Sequence, residues 1–178
     1  MMARSIIACL LALPLLAGAA TVPAEGSPEA VVDRYIAAIS ASDWDAMAEL
    51  LADDAHYEDR TMAYFARGAV DLRGPEAITG FWRDSAASAG SGAIRYERRG
   101  GFAAGPVVVL TLRVFVDNDG AAWDMPGTTF TGEMDVISLI EVRDGRVAWH
   151  MDAADYSSAM RQVETLQRAY EAGAEARP

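Results

Sequence analysis

The sequence predicts an α+β domain, with helices packed on one face of an antiparallel sheet. Apolar residues recur at helical spacing through the first half of the chain. The second half changes to β-branched runs separated by turn clusters. At 178 residues, 52% hydrophobic and 23% charged, the chain has room for one folded domain.

Residues 1–24 read as a secretory signal peptide. Arg4 supplies the positive end, the run 6–16 is apolar apart from Pro14, and small residues follow at 17–20. Cleavage after Ala19 or after Ala24 fits; the competing reading is a buried first helix. The run falls short of the ~20 apolar residues of a membrane span. Cys9, the only cysteine, lies inside it, so the mature chain carries no thiol and is indifferent to an oxidising compartment. The expectation is an exported protein, periplasmic or extracellular.

Ser27-Pro28-Glu29 opens the first helix: a good N-cap, a proline at N1 and an acid for the dipole. Val31, Val32, Tyr35, Ile36 and Ile39 give it one apolar face. Ser42, with Asp45 three residues on, opens a second helix lined by Trp44, Met47, Leu50 and Leu51. Asp53-Asp54 ends it, 55–59 is a short strand, and 60–73 is irregular. Gly74-Pro75-Glu76 opens a third helix carrying Ile78, Phe81 and Trp82, and 85–92 is a small-residue linker. Strands follow at 94–98, 107–116, 128–142 and 146–152, and a last helix at 157–171 places Met160, Val163, Leu166 and Tyr170 on one side.

Charge and composition narrow the function. The formal net charge is -11, with 15 arginines, no lysine and 26 acids, which disfavours nucleic-acid binding. Two histidines and one cysteine do not suggest a zinc site or a thiolate cluster, and no glycine-rich nucleotide motif is present. No cofactor is expected.

The chemistry concentrates in one hairpin. Asp144-Gly145 is a two-residue hairpin turn, which sets Arg143 opposite Arg146. Continued regularly, that register pairs Leu139 with His150, Ile137 with Asp152 and Asp135 with Ala154. One face then holds Asp135, Ile137, Leu139, Ala148, His150 and Asp152, an apolar floor with a few polar groups. Burial there raises a carboxylate's pKa, while the nearby His lowers it if protonated, so Asp152, His150 and Asp135 are the candidate acid–base residues. The plainer alternative is that they only satisfy hydrogen bonds. The opposite face, with Trp149 and Met151, suits a homodimer interface. Asp155 is the better cap for the last helix, which leaves Asp152 freer for a pocket.

These features together resemble the SnoaL-like, or nuclear-transport-factor-2-like, superfamily. The marks are Val31-Val32-Asp33-Arg34-Tyr35, Asp43-Trp44-Asp45-Ala46-Met47, Leu50-Leu51-Ala52-Asp53-Asp54-Ala55, Gly74-Pro75-Glu76-Ala77-Ile78 and Asp144-Gly145-Arg146-Val147. The resemblance implies a single domain over 27–172. Its cone-like, strongly curved antiparallel sheet has the N-terminal helices on its concave face. The closing segment Trp149-His150-Met151-Asp152 with Asp155 is similar to that of limonene-epoxide hydrolases, whose last-strand Asp activates water. Their earlier Arg-x-Asp pair is matched by Arg113-Val114-Phe115, which keeps the Arg and replaces the Asp by Phe115; Asp135 is the available substitute. The fold also implies pocket positions at Tyr57 and Asp59 on the first strand, and at Trp82, Tyr96, Arg113, Phe115, Ile137 and Leu139. Trp123, in the loop 121–127, is placed to cover the pocket. Two functions of different class follow. One is a cofactor-free isomerase, cyclase, dehydratase or hydrolase acting on a small apolar molecule. The other is a non-catalytic binding module of the same fold.

Overall fold

The computed structural model describes residues 24–65, 68–88 and 90–175. The leader expected over 1–24 lies outside them, apart from Ala24.

The Ser27 hydroxyl accepts the Ala30 N–H at 3.2 Å and starts α1 (Pro28–Ala41), whose Val31, Val32, Tyr35, Ala38 and Ile39 are buried. The boundary with α2 (Trp44–Leu50) differs from expectation. Ser42 is left-handed (φ 55, ψ 30) and closes α1, its N–H returning to the Ala38 and Ile39 carbonyls. Asp43 is therefore the cap of α2 and accepts the Ala46 N–H at 3.0 Å. The chain passes directly into β1 (Leu51–Asp59). Residues 60–73, expected to be irregular, include a 3-10 turn (Thr61–Phe65) and a short strand, β2 (Val70–Arg73). α3 (Pro75–Ser88) runs through part of the expected linker. β3 (Gly90–Ala104), β4 (Val107–Asp119), β5 (Thr129–Arg143) and β6 (Arg146–Ala154) follow, with a second 3-10 turn (Gly120–Trp123) before β5. α4 (Tyr156–Glu175) closes the described chain.

The fold is α+β, as the sequence predicts: one open six-stranded sheet in the order β2-β1-β6-β5-β4-β3. The sheet is mixed, because β1 pairs with β6 in parallel while the other pairings are antiparallel. α1 crosses its inner face against β3, β4, β5 and β6, and α3 packs on β1, β2 and β3. The core lies between these helices and the inward residues of the strands, among them Val108, Leu110, Leu112, Val136 and Ile140. α4 packs against β5 and the first 3-10 turn. None of the described helices is long and apolar enough to cross a membrane.

The β5–β6 register corrects the sequence reading. Asp144 (φ 53) and Gly145 (φ 75) form the expected turn, and Arg143 pairs with Arg146 and Val142 with Val147. Ala148 is then an extra residue, a bulge, and Glu141 pairs with Trp149. Beyond it Ile140 faces His150, Leu139 faces Met151, Ser138 faces Asp152 and Ile137 faces Ala153. The bulge slips the pairing by one residue, and side chains alternate, so the sets exchange partners. His150 and Asp152 share the inner face with Val136, Ser138 and Ile140. Asp135, Ile137 and Leu139 lie on the outer face with Trp149 and Met151.

Candidate functional site

Asp152 stands on the central strand β6, flanked by Ser138 on β5 and Asp59 on β1. It is 6% exposed. Its Oδ1 accepts the Ser138 hydroxyl at 2.5 Å and His150 Nε2–H at 2.9 Å, and its Oδ2 accepts the Tyr57 hydroxyl at 3.1 Å. On the far side of the imidazole, Nδ1 lies 3.2 Å from the hydroxyl of Tyr35, which is wholly buried on α1. Aromatic contacts fix the ring: Tyr57 lies 4.9 Å and Tyr35 5.5 Å from it, centroid to centroid.

Burial pushes the Asp152 carboxyl up. The charge that His150 carries when protonated, its hydrogen bond, and the hydroxyls of Ser138 and Tyr57 pull it down and prevail, so it sits below the ordinary aspartate value. The sequence reading set burial, which raises the carboxyl, against a protonated His, which lowers it; the lowering contributions prevail, with Ser138 and Tyr57 adding to them. At neutral pH Asp152 is a carboxylate. The phenols of Tyr35, Tyr57, Tyr96 and Tyr156 move the other way, raised first by burial and then by nearby carboxylate charge. They remain protonated, and Tyr57 donates to Asp152 and Tyr156 to Asp59.

A second polar cluster lies at the end of β1. Asp59, also buried, accepts the Thr61 N–H (2.8 Å), the Thr61 hydroxyl (2.6 Å) and the Met62 N–H (3.1 Å) on Oδ1. Its Oδ2 accepts the Tyr156 hydroxyl at 2.7 Å. These bonds tie β1 to the first 3-10 turn and to the start of α4.

Asp152 and Asp59 both line a cavity of about 340 Å³, within the size range of small-molecule sites. Its walls are largely aromatic and aliphatic, from α3, α4 and the strands. Tyr57, Phe81 and Trp82 pack on one another at 5.5–5.7 Å between centroids, and Trp82 meets Tyr96 at 6.4 Å. The Trp82 indole N–H is buried and has no hydrogen-bond partner among the described residues. Trp123 lines the cavity from the loop after β4, as its lid position suggested, and α4 holds that loop. Gln167 donates to the Trp123 carbonyl (2.9 Å) and Tyr170 to the Pro126 carbonyl (3.2 Å).

Of the predicted positions, the structure gathers Tyr57, Asp59, Trp82, Tyr96 and Asp152 around this cavity. His150 stands behind Asp152 as its hydrogen-bond donor. The others are elsewhere. Arg113 Nε and Nη2 clasp Asp135 at 2.6 and 3.2 Å on the outer face, and Nη1 reaches Glu133 at 3.3 Å. Phe115 lies under the Arg95 guanidinium, 5.7 Å from its carbon. Ile137 is 48% exposed, and Leu139 shares its face. Asp135 therefore cannot complete an acid pair with Asp152: the sheet separates them. Asp155 caps α4 through the Ser158 N–H at 3.0 Å. Three residues of the site escaped the sequence reading: Tyr35, Ser138 and Tyr156. Among the described residues no group of three or more His, Asp or Glu side chains is placed to hold a metal ion.

A family profile described as a SnoaL-like domain matches residues 32–150. No curated protein matches the chain. Solved structures do. A provisionally assigned SnoaL-like polyketide cyclase from Shewanella denitrificans OS-217 superposes with a TM-score of 0.67 at 17% identity, over 78% of this chain and 97% of that one. IdmH from Streptomyces antibioticus, provisionally assigned as a polyketide cyclase, gives 0.62 at 21% identity, over 77% and 98%. An M. tuberculosis epoxide hydrolase of the limonene-epoxide-hydrolase-like type gives 0.58 at 18% identity, over 76% and 87%.

Proposed function

Since the chain belongs to the family of SnoaL-like domains, we propose that it takes a small, largely apolar molecule into this cavity and that Asp152 moves a proton on it. The observation that carries the proposal is a buried carboxyl in the wall of an apolar cavity, held by three protein donors. A carboxylate has about four acceptor sites; three are filled, and one remains for a substrate proton. Asp152 is then the general base. Ser138, His150 and Tyr57 orient it, and the protonated Tyr96 phenol is a donor for charge developing on a substrate oxygen. Isomerisation, aldol-type cyclisation and dehydration all use removal of a proton beside a carbonyl. The epoxide-hydrolase reading is weaker for this chain, because Arg113 is engaged with Asp135 on the opposite face.

The test is deuterium incorporation beside the carbonyl of an apolar ketone such as 2-tetralone in D2O. Wild-type protein should accelerate it, and Asp152→Asn should lose about 10²–10⁴ of that acceleration, the range of general acid–base catalysis. Binding of such ketones with no exchange would instead favour the non-catalytic module. The same reading includes export, checked by N-terminal sequencing of the secreted protein. It also includes a homodimer through the outer sheet face, where Phe102 and Ile137 are 61% and 48% exposed. Ile137→Glu should make that dimer monomeric by sedimentation.

A further inference from the structure

We propose that the occupant of the cavity is cationic: an apolar, aromatic-sized amine or quaternary ammonium whose charge pairs with Asp152. The proposal rests on the cavity being the ligand site, but not on proton transfer by Asp152.

The lining carries three acids, Asp59, Glu133 and Asp152, and no arginine or histidine. Glu133 is answered by Arg113 from the outer face. The other two carboxylates are met by neutral donors. Asp59 has two backbone N–H groups and two hydroxyls. Asp152 has Ser138, Tyr57 and His150.

His150 is the one protein group in contact with Asp152 that can carry positive charge, and its surroundings favour the neutral ring. With Nε2–H donating to Asp152, a neutral imidazole leaves Nδ1 as an acceptor, and the Tyr35 hydroxyl donates to it. An imidazolium would also donate from Nδ1. The Tyr35 proton, wholly buried, would then have no acceptor among the described residues. An unsatisfied buried hydroxyl is unfavourable. The hydrogen-bond pattern is complete with a neutral imidazole, which meets the Asp152 charge with a hydrogen bond and leaves it without a countercharge among the described residues.

The walls add the same sign. Tyr57, Phe81, Trp82, Tyr96, Trp123 and Phe130 surround the space, and the faces of aromatic rings attract cations. An anion entering this cavity meets like charge at short range. A neutral guest leaves a buried carboxylate uncompensated where the dielectric is low. A cation answers both, and the net charge of -11 steers cations towards the molecule.

The experiment compares two isosteres on the unmodified full chain, benzyltrimethylammonium and neopentylbenzene, which differ only by nitrogen for carbon and the charge. The ammonium has no acidic proton, so base catalysis does not enter. Calorimetry should show the ammonium binding at least tenfold more tightly, with the Trp82 and Trp123 indole N–H signals shifting in NMR spectra. Asp152→Asn, checked for folding by circular dichroism, should remove most of that preference. Equal or tighter binding of neopentylbenzene overturns the inference and leaves the cavity reading standing. Ammonium binding that shifts surface signals but neither indole overturns it even if Asp152→Asn does not fold. If neither probe enters the cavity, both readings fall.

Discussion

Asp135 and Asp152 stand on the two strands of one hairpin, and their charges are met in opposite ways. Asp135 is two-thirds exposed and held bidentately by Arg113. Asp152 is buried and held by three donors, none of them an arginine. An exposed ion pair shares its field with water and contributes little. A buried carboxylate has no water to turn to, so each donor matters, and any lone pair left over faces the cavity's guest. The outer face uses charge to decorate a surface. The inner face uses neutral groups to keep a charge available.

The largest test of this contrast is the register beyond the bulge. Deleting Met151 would set Asp152 opposite Leu139 and turn it outward, while Ser138 and Ile140 remain inward. The expected cost is a large part of the ~5–15 kcal/mol that stabilises a typical domain, so the thermal transition by circular dichroism should fall steeply or vanish. Deleting Ala148 instead removes only the extra residue and leaves these pairs in place, so it should cost far less. Equal melting of the two deletions would mean that register does not set the two faces.

Next comes truncation of each acid. Asp152→Ala leaves three buried donors without their acceptor and should cost about 3 kcal/mol in urea denaturation. Asp135→Ala should cost under about 1 kcal/mol, and the loss should shrink further in high salt. Equal costs would erase the distinction between the faces.

The smallest effect is the pH dependence. Because the folded-state pKa of Asp152 is depressed, its contribution is fully present above the unfolded value of ~3.9. It is lost as pH falls through the lower folded value. The stability gap between wild type and Asp152→Asn should therefore be constant from pH 5 to 7 and narrow below about pH 4. A gap that widens in acid would contradict the hydrogen-bonded carboxylate.

Much of this was legible in the sequence. Strand alternation put Tyr57 and Asp59 on one side, and the end of the last strand pointed to Asp152; all three line the cavity. The bulge was the obstacle. Val147, Ala148 and Trp149 are three apolar residues in a row, so alternation has no preferred phase there, and a regular continuation from the turn chose the wrong partners for Asp152. The clue lay in that same run, since Val147 and Ala148 are both buried. Tyr35 fits the apolar stripe of α1 so well that nothing marked its hydroxyl, though a buried tyrosine O–H needs a partner. Ser138, a lone hydroxyl between Ile137 and Leu139, was placed on the wrong face for the same reason as Asp152. Tyr156 lies at the start of α4, where it reads as an ordinary helix residue.

The parallel pairing of β1 with β6 has a consequence for synthesis. Tyr57 and Asp152 are 95 residues apart in the chain, and Tyr35 and His150 are 115 apart. Chains grow at ~5–20 residues per second, so β1 waits roughly 5–20 s for the strand that completes it. During that interval it has only the short β2 as a neighbour, and its other edge is open to pairing with another chain. Four of its nine residues, Asp53, Asp54, Glu58 and Asp59, are acids. Two copies of such an edge repel each other. The residues that later serve the ion pairs and the cavity wall thus act first as gatekeepers of a nascent strand.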